Sequence, residues 1–114
     1  MKSILISFLL LTAFNRNDQI SILGVWDTGK DNTKIEITEE NGVFKGIVIS
    51  SDHANQQVRT LLKEVKLEGS EWKGLLFVPK QGEWFDVVIT KKDNKLLIKV
   101  KKGFMSKTLE WNKV

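Results

Sequence analysis

The chain has 114 residues, enough for one ordinary domain, and its 41% apolar and 28% charged residues are those of a folded globular protein, not a disordered or fully membrane-embedded one. It contains no cysteine, which removes disulfides, thiol nucleophiles, thiolate zinc sites and acylated cysteine from consideration. The formal charge of +4 comes from lysines scattered among acids, with only Arg59 as an arginine beyond the first twenty residues. Nucleic-acid binders concentrate such charge on one face, so nucleic acid is not an expected partner.

In chain order, Met1 and Lys2 give a short positive start, and Ile4 to Phe14 then run without a charge until polarity returns at Asn15. That layout predicts a signal peptide over residues 1–20, with Thr12, Ala13 and Ser21 as the small residues available near a cut. The apolar run falls short of the roughly twenty residues a membrane-crossing helix needs. The expected product is therefore exported, periplasmic or secreted, without stable membrane insertion, and residues 21–114 form its single domain.

From Ile22 onward, apolar runs of strand length alternate with Gly, Asn, Asp and Ser clusters. Ile35 and Ile37 alternate with Lys34, Glu36 and Thr38; Phe85, Val87 and Ile89 alternate with Trp84, Asp86, Val88 and Thr90. Leu96, Ile98 and Val100 read as an inward set, with Lys95, Lys99 and Lys101 facing water. Leu109 and Trp111 do the same in a last strand over Lys107 to Val114. Turn chemistry stands at Glu40-Asn41-Gly42, Glu68-Gly69-Ser70, Lys80-Gln81-Gly82 and Lys92-Asp93-Asn94. Ser51 to Lys63 fits no strand pattern and is the expected place for a helical turn or a long loop. Phe44-Lys45-Gly46 and Trp72-Lys73-Gly74 echo each other, which predicts two bends where a sheet coils toward closure. The expected fold is all-β: a small antiparallel up-and-down barrel, lipocalin- or calycin-like, of about seven to eight strands, with an interior filled by its own side chains or holding at most a modest cavity.

The order Gly24-Val25-Trp26, Phe44-Lys45-Gly46, Pro79-Lys80-Gln81-Gly82, and Gly103-Phe104 before Lys107-Thr108-Leu109-Glu110-Trp111 resembles the exported bacterial family known as domain of unknown function 2147. The likeness runs from Leu23 to Val114 and implies export and a barrel, with no activity attached. Where that family tends to carry arginine and a basic-Gly-Tyr corner, this chain has Lys107 and Lys102-Gly103-Phe104. More distantly, Gly24-Val25-Trp26 is similar to the Gly-x-Trp start of lipocalin-type barrels. That likeness implies that Lys107 or Lys113 covers the Trp26 ring near the closed end.

The chemistry-bearing residues are few. His53 is the single histidine, beside Asp52 in a polar stretch, and with Asp86 these residues define the only enzyme reading. Glu39-Glu40 and the pair Asp27 and Asp31 sit at turns, where acids are common, and no His pair at metal spacing or glycine-rich phosphate loop occurs, so neither metal nor cofactor is expected. The favoured reading is non-catalytic binding of a small apolar or amphipathic ligand at the barrel mouth, against Trp84, Asp86, Phe77 and Trp72, with His53 from the long loop. The alternative is a periplasmic or extracellular protein-interaction domain using an uncovered sheet edge.

Overall fold

The computed structural model describes residues 21–52 and 59–114; the expected signal segment and His53 lie outside the described residues. Eight strands follow in order: β1 (Gly24–Asp27), β2 (Lys34–Glu40), β3 (Val43–Ser50), β4 (Thr60–Glu68), β5 (Glu71–Val78), β6 (Glu83–Lys92), β7 (Lys95–Lys102) and β8 (Met105–Lys113). Each pairs antiparallel with the next, and β8 returns to β1 to close the barrel. The all-β, up-and-down expectation is met. Two boundaries differ from it. Thr60 to Lys63, placed in the expected loop, opens β4 instead. Neighbouring Leu61 and Leu62 are both buried there, so the period of two that marks a strand is missing from the sequence. The last strand also begins two residues early, at Met105, because Gly103 and Phe104 alone make the turn from β7.

Burial concentrates at one end. Trp26, Ile35, Ile37, Ile89, Leu96 and Ile98 are at most 2% exposed, and the register carries Trp72 to Ile89, Ile89 to Ile98 and Ile98 to Leu109 on one inward face. Complete burial of such a side chain stabilises the fold by about 1.5–3 kcal/mol. At its base Trp26 Nε1 donates to the Ile22 carbonyl at 2.9 Å. The Lys113 ammonium stands 4.9 Å from the Trp26 ring centre and donates to the Leu23 carbonyl at 3.0 Å. Of the two lysines the sequence offered for this place, Lys113 occupies it. Gly24 is required beside it, with φ of 121° and a Cβ position that the Lys113 ammonium already fills.

The two Lys-Gly bends face a common cause. β4 has a break in its pairing with β5 between Lys63 and Lys66, where Glu64 takes a φ of 54°. On the other side its pairing with β3 shifts on both sides of Gly46. A bulge of this kind bends the strand and drives its neighbours close. A Cβ on Gly74 would lie 2.8 Å from Val65 Cα and 2.9 Å from the Lys63 carbonyl, whereas one on Gly46 would meet only side-chain atoms of Ile35 and Leu62 at 3.0 to 3.3 Å. The echoed glycines thus flank the kinked strand.

Trp72 offers a contrast with Trp26. It is buried, yet among the described residues its Nε1 has no hydrogen-bond partner. A buried donor left unpaired costs about 1–3 kcal/mol. In urea denaturation, Trp26→Phe is therefore expected to lose at least about 1 kcal/mol more stability than Trp72→Phe. By the same method Gly74→Ala is expected to cost about 1–3 kcal/mol and to exceed Gly46→Ala, because backbone atoms cannot step aside.

Candidate functional site: an apolar cavity at the open end

β1 is only four residues long and β8 is nine. β1 meets β8 through Trp26 with Lys113 and Asp27 with Asn112. Beyond Asp27 the chain turns away, with the Gly29 amide donating to Asp27 Oδ1 at 2.7 Å. Among the described residues, β8 from Met105 to Trp111 has β7 on one side and no strand on the other. The barrel is consequently tight around Trp26 and parted at the opposite end.

The parted half holds a cavity of about 1360 Å³. Its walls are Leu61, Leu76, Phe85, Val100 and Leu109, with Trp111 at the depth where the packed core begins. Val100 and Leu109 face inward in register with the core, pack against it and stay only partly buried. An eight-stranded barrel has just enough interior to be filled by side chains or to hold one small ligand. Among the described residues, this one fills its lower half and leaves a hollow in the upper half.

The rim is well tied. Thr33 Oγ1 and Ser51 Oγ lie 2.8 Å apart, Asn32 Nδ2 donates to Asp52 Oδ2 at 3.0 Å, and the Asp52 amide donates to the Asp31 carbonyl at 2.9 Å. These bonds fasten the β1–β2 connection to the end of β3. In the β5–β6 turn the Gln81 and Gly82 amides both donate to the Val78 carbonyl, at 3.0 and 2.9 Å, behind Pro79, which lines the cavity. Lys102 bridges that turn to the β7–β8 hairpin, donating to Gln81 Oε1 at 3.0 Å with its ammonium 5.9 Å from the Phe85 ring centre. At the hairpin tip Phe104 is 99% exposed beside the entrance.

The residues expected at the ligand site are dispersed. Phe77 lines the cavity rim and packs edge-on against Trp84, ring centres 5.3 Å apart. Trp84 itself shares its register with Phe77 and its face with Asp86, on the opposite side of β6 from Phe85, Val87 and Ile89. Asp86 is exposed, and Trp84 is sheltered by the Lys63 ammonium, 4.2 Å from its ring centre. Both are outer-face residues, since a strand turns alternate side chains to opposite sides. Trp72 belongs to the closed end, where it borders a separate hollow of about 610 Å³ with Leu67, Thr90 and Asp93. Lys107, offered by the sequence as a cover for Trp26, lies at the cavity mouth.

Missed by sequence reasoning were Leu61, Leu76, Leu109 and the mouth lysines Lys102 and Lys107 as cavity residues. A signal for Lys102 was present: it continues the inward phase Leu96, Ile98, Val100 by one more step of two. Asp52 stands at the mouth and Asp86 on the outer face, so the acids of the enzyme reading are not brought onto one surface. Among the described residues no three His, Asp or Glu side chains gather as metal ligands. No protein-family profile, curated protein or solved structure matches the chain.

Because the Phe104 side chain is exposed, Phe104→Ser is expected to leave stability within about 0.5 kcal/mol of the parent, as a thermal melt would register.

Proposed function

We propose that this protein is a non-catalytic binding barrel that holds one small apolar or amphipathic molecule in its open half. The observation that carries the reading is the cavity of about 1360 Å³ walled by inward-facing aliphatic and aromatic side chains above a closed core. Concave, mainly apolar sites with a few polar groups at the edge are the usual form of small-molecule sites. The charge-free Ile4 to Phe14 run supports a setting outside the cytoplasm, and the motif order from Gly24-Val25-Trp26 to Trp111 supports kinship with the exported family it resembles. Under this reading the ligand enters beside Phe104, and its apolar part descends along Phe85, Val100 and Leu109 toward Trp111.

A second reading rests on the edge of β8. From Met105 to Trp111 that edge has no neighbouring strand among the described residues, and an extended segment of a partner protein would find free main-chain groups there. Lys107 on the same strand is a residue type that discourages such pairing, which places this reading second.

The neutral fluorescent probe N-phenylnaphthylamine tests the cavity. The parent protein is expected to bind it with enhanced emission. Val100→Trp, which fills the upper cavity from its wall, is expected to weaken uptake at least about tenfold, or about 1.4 kcal/mol. Trp84→Ala and Asp86→Asn, on the outer face, are expected to leave uptake unchanged. Equal uptake by Val100→Trp and parent, in a protein that melts normally, would remove the cavity from consideration.

A further inference from the structure

The mouth of the cavity has a chemical asymmetry that the apolar walls do not explain. Val100 pairs with Lys107 and Lys102 pairs with Met105, so Lys102 and Lys107 are diagonal neighbours on the inward face of the β7–β8 hairpin. Diagonal positions lie roughly 7–8 Å apart between Cα atoms, within reach of one shared group for side chains as long as lysine. Both residues line the cavity, and Lys80 joins them from the β5–β6 turn. Neither Lys102 nor Lys107 has an ion-pair partner among the described residues. The Lys102 ammonium is instead held over the opening by Gln81 Oε1 and the Phe85 ring.

Two carboxylates at the same mouth, Asp52 and Glu110, have other partners. Asp52 accepts from the Asn32 amide on the β1–β2 side, beside Asp31, and Glu110 pairs with Lys95 at 3.1 Å. Two like charges at diagonal positions on the lip of an apolar cavity repel each other, and among the described residues neither has an ion-pair partner. An anionic group on the ligand supplies a counter-charge.

We propose that the ligand is an anionic amphiphile: a single acyl or alkyl chain in the cavity, with a carboxylate or phosphate head bridged by Lys102 and Lys107. This rests on the binding reading above and adds the ligand's charge and orientation to it. Charge-assisted hydrogen bonds from two ammonium groups fix the head at the solvent-facing lip, and the chain runs along Phe85, Val100 and Leu109. Because the lysines are exposed, the head-group contribution is screened by salt while the chain's contribution is not.

The test uses the full chain and four twelve-carbon probes below their micellar concentrations: dodecanoate, dodecyl phosphate, dodecanol and dodecylamine. Displacement of N-phenylnaphthylamine reads affinity at low and high salt. Dodecanoate or dodecyl phosphate is expected to bind about tenfold tighter than dodecanol at low salt, dodecylamine no tighter than dodecanol, and the anion preference to shrink as salt rises. The two anions against each other distinguish a carboxylate from a phosphate source. In the double variant Lys102→Gln, Lys107→Gln the preference is expected to vanish with dodecanol affinity retained, which also reports that the barrel is intact. Dodecanol binding as tightly as both anions, or an anion preference surviving in the double variant, overturns the head-group assignment and leaves the cavity reading standing. Failure of all four probes in the parent overturns both.

Discussion

The barrel depends on how Trp26 is held. Its indole N–H is taken by the Ile22 carbonyl, and its face is covered by the Lys113 ammonium, which in turn donates to the Leu23 carbonyl. First and last strands are thereby joined at the point where they meet, across a contact of the kind worth about 0.5–2 kcal/mol beyond the burial of the ring. Gly24 makes the arrangement possible by leaving room for that ammonium. Without this seam the sheet would have two edges and no inside.

The same seam explains why, among the described residues, the strands part at one end. β1 stops at Asp27, so only the bottom of β8 finds a partner there, and the strands above it part. Large buried side chains crowd the closed half, while Val100 and Leu109 stay only partly buried on the inner wall of the other. Closure and cavity are two consequences of one short strand. Lys102 and Lys107 make the β7–β8 side of the opening basic above an apolar depth, while Asp31 and Asp52 stand on the β1–β2 side.

Much of this was legible in residues read one strand at a time. The inward sets Ile35 and Ile37, Phe85, Val87 and Ile89, and Leu96, Ile98 and Val100 follow from alternation alone, because successive side chains of a strand point to opposite faces. The Gly46 and Gly74 bends were also visible, although their cause was not: the kink that demands them sits in β4, at Glu64, with no glycine of its own. Leu61 and Leu62 hid the start of β4, since both are buried and the pattern lapses where a strand bends. Trp84 was misread because a large aromatic side chain suggests an interior. Its phase with Asp86 puts it outside, and its shelter comes from Lys63, a residue more than one strand away.

By itself the sequence determined the absence of thiol chemistry, through composition, and the alternation of β2, β6 and β7 with the turns at Asn41-Gly42, Gly69-Ser70, Gln81-Gly82 and Asp93-Asn94, because these depend on neighbours within a few residues. Tertiary structure alone decided which lysine covers Trp26, which end of the barrel stays open, and that Lys102 and Lys107 come to stand together over an apolar hollow. These follow from the register between strands and from the mismatch in length between β1 and β8. Such relations arise only when distant segments pair, because a one-residue shift in any ladder would turn the same side chains to the other face.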